Sequence, residues 1–154
     1  MLRWSFGFYG GLIAGLASAL FYVLVAVAWL HEMTLAAFFA QIVRALPPLH
    51  GAPDAAPIAG LGLVLYVLLA GGFGIVYGVL ATRFGSMRQA PTSVLWGIGY
   101  GLVVWWLLND VIVPLTGAEN VQPLWEGLLG TVGFYGVVLS EATATFARRE
   151  ASAP

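Results

Sequence analysis

The sequence has no cysteine and no lysine, and little charge of either sign. Without cysteine there is no disulfide, no thiolate zinc site, no Fe–S cluster and no thiol nucleophile. Charged residues make up 8% of the 154, against about 25% in an average soluble protein. So few charges cannot cover a water-soluble globule of this size. A net charge of −1 offers no basic surface to release counterions, so nucleic acid is not expected as a partner. Sparse charge with 60% apolar residues is also the reverse of the composition that keeps a chain disordered.

Long apolar runs fill the chain instead. A bilayer core roughly 30 Å thick needs about 20 apolar helical residues. Four stretches meet that need: 6–30, 58–82, 92–113 and 124–147. None alternates with period two, so helices are predicted rather than barrel strands. Pro47-Pro48, Pro57, Pro91, Pro114 and Pro123 mark the connections, because proline disfavours helix in the residue before it. The predicted fold is all-α and polytopic: one domain over 1–154, with four transmembrane helices in a compact glycine-rich bundle. The first run is read as a span and not as a signal peptide cleaved after Ala26-Val27-Ala28, because it exceeds a typical h-region and carries spaced glycines.

All six basic residues are arginine. Arg3, Arg83, Arg88, Arg148 and Arg149 fall on one side of the four-span topology, and Arg44 falls alone on the other. This asymmetry predicts cytoplasmic N- and C-termini. Between the first two spans, Leu35, Phe38, Phe39, Ile42 and Leu46 share one helical stripe opposite Arg44. Residues 33–46 are therefore expected to form an amphipathic helix in the outer interface, with a bent continuation of the first span as the alternative. Trp29, Trp105, Trp106 and Trp125 fall near the outer interface, and Trp4 and Trp96 near the inner one, as an aromatic belt requires. Residues 48–58, PLHGAPDAAPI, match residues 114–124, PLTGAENVQPL, at five of eleven positions. That repeat suggests two parallel hairpins related by an axis along the membrane normal.

Small residues recur at helical spacing: Gly7, Gly11 and Gly15; Ala70, Gly74 and Gly78; Gly97 and Gly101; Gly130 and Gly133. Lipid offers no hydrophobic drive between helices, so close backbone approach across such faces must hold them together. Phe8-Tyr9-Gly10, Val76-Tyr77-Gly78, Gly99-Tyr100-Gly101 and Phe134-Tyr135-Gly136 place a tyrosine beside a glycine. A buried tyrosine there can cover the gap and hydrogen-bond to a neighbouring helix.

Ionisable residues within spans are the usual pointers to function. Asp110 lies near the C-terminal end of the third span, where the helix dipole disfavours an anion. Glu126 opens the fourth span and shares a heptad face with Gly133 and Ser140. With His31, Glu32 and Asn109, these carboxylates form a candidate outer polar cluster. At the inner end Glu141 is a candidate ion-pair partner of Arg83, Arg148 or Arg149. No metal site is expected, and no pattern names a cofactor: no span carries two histidines, so a bis-His haem cannot be built from this chain alone. A Walker loop, GxSxG and HExxH are all absent, so catalysis is not expected.

From Trp96 to Arg149 the order of features resembles the YagU-like small inner-membrane proteins of bacteria. The resemblance rests on Pro114-Leu115 and Gly117, on Leu124-Trp125-Glu126, on Glu141 and on Arg148-Arg149, with a similar Gly11-Leu12-Ile13-Ala14-Gly15 opening. It implies a four-span protein of the bacterial inner membrane and carries no catalytic residue across. Two functions stay open. One is a small non-catalytic subunit, packed with other subunits in a larger respiratory or photosynthetic membrane complex. The other is a small homo-oligomeric transporter or channel for an ion, proton or small solute, using Asp110 and Glu126.

Overall fold

The structure, a computed structural model, describes residues 4–30, 34–49, 51–89, 91–116 and 124–151. Five helices dominate it: α1 (Trp4–Trp29), α2 (Leu35–Arg44), α3 (Ala56–Arg83), α4 (Thr92–Thr116) and α5 (Leu124–Glu150). Among the described residues 91% are helical and none lies in a strand, which leaves no place for a barrel. α1, α3, α4 and α5 are 26, 28, 25 and 27 residues long and apolar enough to cross a membrane. At 1.5 Å per residue each exceeds the roughly 30 Å hydrocarbon core.

Local chemistry sets the helix ends. Pro57 sits in the first turn of α3, where its missing N–H costs no hydrogen bond. Thr34 caps α2, its hydroxyl accepting from the Ala37 N–H at 3.1 Å. This cap makes α2 a helix of its own and not a continuation of α1.

Two seams of backbone contact organise the bundle. A Cβ on Gly7 would meet Gly74 and Gly78, one on Gly11 would meet Ala70 and Gly74, and one on Gly15 would meet Ala70. The pairing descends on α3 as it ascends on α1, so the two helices are antiparallel. Gly97 and Gly101 oppose Gly136 in the same way, so α4 and α5 form a second antiparallel pair. The hairpins join where α5 lies against α1: Gly10 faces Thr143, and Gly130 faces the ring of Tyr22. α1 and α4 therefore run in one direction and α3 and α5 in the other. The N-terminus of α1 and the C-terminus of α5 share one end of the bundle, called here the terminal end; α2 lies at the far end.

α2 packs onto α1 and α3 through Phe38, Phe39, Ala40 and Val43, all buried. Leu35 and Leu46, expected on the apolar stripe, are exposed, and Ile42 is half-buried. The contact face is turned because Gly62 of α3 leaves a notch that takes the Phe39 carbonyl. Small Ala40 and Val43 are the side chains that fit so close an approach. Arg44 pairs with Asp54 and donates to the Ala52 carbonyl at 3.5 Å, tying the end of α2 to the start of α3.

Three stretches wind as π-helix: Val23–Trp29 in α1, Leu107–Ile112 in α4 and Leu129–Gly136 in α5. Their i→i+5 bonds turn the helix more slowly than an α-helix, so faces extrapolated at 3.6 residues per turn drift. Gly133 shows the effect. It was expected on the packing face with Glu126 and Ser140, but nothing lies within 4 Å of where its Cβ would be. Glu126 and Ser140 are both buried.

Candidate functional site

The expected outer cluster does not form as one group. His31 and Glu32 lie outside the described residues. The Asn109 side-chain amide donates to the Trp105 carbonyl of its own helix at 2.8 Å. Asp110 is exposed on α4, whereas Glu126, in the first turn of α5, is only 1% exposed. Glu126 directly precedes Gly127, whose carbonyl lies 3.3 Å from the Tyr22 hydroxyl of α1. Asp110 lies on the same exposed face of α4 as Val103 and Trp106, away from the interior that holds Glu126.

At the terminal end Glu141 is half-buried and accepts a hydrogen bond from the hydroxyl of buried Ser93 at 2.8 Å. Among the described residues no ion pair joins it to Arg83 or Arg148, and an ion pair forms instead between Arg44 and Asp54. Arg148 instead donates to Thr145, one turn back, at 3.1 Å. The reason is placement: Glu141 is turned toward α4, while Arg83, Arg148 and Arg149 end their helices. On its other side Glu141 borders an open groove of about 410 Å³ with Ile13, Val137, Thr145, Phe146 and Arg149.

Between these two carboxylates the interior is lined with hydroxyls. The Tyr22 hydroxyl lies 3.3 Å from both the Gly127 carbonyl and Thr131 Oγ1. Tyr66 donates to Ser18 at 3.0 Å, and Ser18 donates to the Gly130 carbonyl at 2.9 Å. Tyr135 donates to the Ala70 carbonyl at 2.7 Å, and Tyr100 to the Phe73 carbonyl at 2.6 Å. Tyr77 stands edge-on to Tyr100, ring centroids 5.1 Å apart. Each of these bonds crosses between helices, which a buried hydroxyl in an apolar setting must do to avoid a large desolvation cost.

Of the four Tyr-Gly pairs, Tyr100 and Tyr135 make such bonds. Tyr77 is buried without a partner, and Tyr9 is 55% exposed. Sequence reading missed Ser18, Tyr22, Tyr66, Ser93 and Thr131. A usable signal exists in hindsight: Ser18 and Tyr22, and likewise Thr131 and Tyr135, are four residues apart, one turn from glycines of the packing faces.

Comparison with protein-family models, with curated proteins and with solved structures finds no match. Among the described residues no three of His, Asp and Glu come together as metal ligands would. The arrangement can bond helices together through hydroxyls, hold carboxylates at two depths, and present Asp110 to a neighbour.

Proposed function

We propose that the protein is a small non-catalytic integral membrane subunit, docked in a larger complex through α4. One observation carries this reading: α4 is the barest span and bears the exposed carboxylate. Only 11% of its most apolar stretch is buried, against 28–50% for the other three spans. Gly99, Val103, Trp106 and Asp110 are all exposed along it. A carboxylate on an apolar helix, close to the hydrocarbon, calls for a cation. Arg44, the one arginine placed on that side by the sequence, is engaged by Asp54. The partner is therefore a transmembrane helix with an Arg or Lys near its outer end.

The arginine asymmetry supports cytoplasmic N- and C-termini, and the YagU-like resemblance supports a bacterial inner membrane. Purification in mild detergent followed by native mass spectrometry tests the reading. A stoichiometric partner is expected with the wild type and is lost with Asp110→Asn. A pure homo-oligomer would favour a transporter instead, and a monomer indifferent to Asp110→Asn would overturn docking.

A further inference from the structure

We propose that the groove between α1 and α5 binds one phospholipid with a primary-amine headgroup, drawn from the leaflet at the terminal end. The groove follows one face of α5. Val137, Val138, Glu141, Phe146 and Arg149 recur on that face at helical spacing, and Ile13 forms the edge on α1. Val137 and Arg149 are 12 residues apart, so the face runs about 18 Å along the helix. One leaflet of the hydrocarbon core is roughly 15 Å thick, half of the whole. The groove thus has the length of the acyl chains beside it. Its deeper end is apolar, through Ile13, Val137 and Val138. Phe146 is backed by the ring of Phe6 on α1, centroids 6.0 Å apart.

Ordinary boundary lipid asks for no charge in the wall, yet this groove carries one of each sign. α5 is 27 residues long, about 40 Å, so about 5 Å of it stands outside the core at each end. Glu141 comes nine residues before Glu150, about 13 Å from the end, and so falls within the hydrocarbon. A carboxylate there demands a cation or several hydrogen bonds. Ser93 donates one bond, at 2.8 Å to Oε1. A carboxylate has about four acceptor sites, so further donors can be taken from the groove.

Arg149 enters the groove from the terminal end, where a long basic side chain reaches the headgroups. Its neighbour Arg148 leans back one turn to Thr145, the direction in which helical side chains point. The same lean shortens the two turns between Arg149 and Glu141. A phosphate on Arg149 and an ammonium two carbons away on Glu141 use both charges, and the chains lie along the apolar end. An anionic headgroup without an amine would satisfy Arg149 and be repelled by Glu141. A trimethylated ammonium has no N–H to donate. The proposal does not rest on docking through α4.

The test is lipid retention by the purified full chain, read by native mass spectrometry. The detergent-extracted chain is given equal amounts of phosphatidylethanolamine, phosphatidylglycerol and phosphatidylcholine. The wild type is expected to keep one phosphatidylethanolamine, several-fold in excess of either competitor. Glu141→Gln keeps the side-chain shape and an acceptor for Ser93, and is expected to lose that preference. Arg149→Gln is expected to lower retention of all three lipids. Arg88→Gln, at the same end but outside the groove, is expected to bind as the wild type does. Ile13→Trp, at a position 45% exposed, is expected to fill the groove and release the lipid while the chain stays monodisperse. That variant decides the matter if either polar one fails to fold. Free phosphoethanolamine at matching concentration is not expected to displace the lipid. No bound lipid, equal retention of the three headgroups, or a preference that survives Glu141→Gln overturns the proposal. So does a lipid still held by Ile13→Trp, or one displaced by free phosphoethanolamine.

Discussion

Adding one methyl group at Gly74 and one at Gly133 is expected to move stability in opposite directions. At Gly74 a Cβ would press on the Gly7 carbonyl, with Gly11 Cα at 2.6 Å and Gly11 N at 2.9 Å. Carbon contacts are comfortable at about 3.5–4.0 Å, so α1 and α3 must part by roughly 1 Å, a gap that forfeits a quarter to a half of the contact energy along the seam. The atoms in the way are backbone, so no side chain can swing aside. Overpacking of this kind costs about 1–3 kcal/mol, and the upper part of that range is expected for Gly74→Ala. At Gly133 nothing lies within 4 Å, so the methyl enters open space. Replacing a helical glycine by alanine then stabilises by about 0.5–1 kcal/mol. Equilibrium unfolding in mixed detergent micelles, with helicity followed by circular dichroism, measures both. The reasoning is refuted if Gly133→Ala destabilises as much as Gly74→Ala, or if Gly74→Ala is neutral.

Other perturbations probe other links. Ser18→Ala breaks one buried and one part-buried bond and strands the Tyr66 hydroxyl; a loss of about 1–3 kcal/mol is expected in the same unfolding assay, and an unchanged midpoint would count against the hydroxyl network. Arg44→Met is expected to cost under about 1 kcal/mol, since an ion pair with both partners partly exposed is screened by solvent; a larger loss would mean that α2 depends on that pair. Reporter fusions after Arg88 and after Arg149 are expected to read cytoplasmic, and one within residues 51–56 external; a cytoplasmic reading for 51–56 contradicts the orientation.

Composition and run length made the four spans legible, because a membrane demands about 20 apolar residues whatever the packing. The runs 6–30, 58–82, 92–113 and 124–147 differ from α1, α3, α4 and α5 by a few residues at their ends. The glycine seams were legible where the helix is regular: Gly7, Gly11 and Gly15 against Gly74 and Gly78, and Gly97 and Gly101 against α5. Extrapolation failed at Gly133 because π-helical winding, which no residue pattern announced, rotates the face within a few residues. Asp110 keeps the face it shares with Val103 and Trp106, but that face is the exposed one, which sets it apart from buried Glu126. For Glu141 the sequence offered arginines at the same end of the bundle, Arg83, Arg148 and Arg149, and gave no sign of Ser93, whose hydroxyl reaches it across the α4–α5 seam.

Photocrosslinking in native membranes tests the docking account most directly, and because the chain has no cysteine of its own, a single introduced one is its sole attachment point. Val103→Cys on α4 and Leu68→Cys on α3, both exposed, would each carry a benzophenone. The account predicts one adduct of defined mass from position 103, lost when Asp110→Asn is added, and only lipid adducts from position 68. Equal protein capture at both positions, or none at 103, would contradict it.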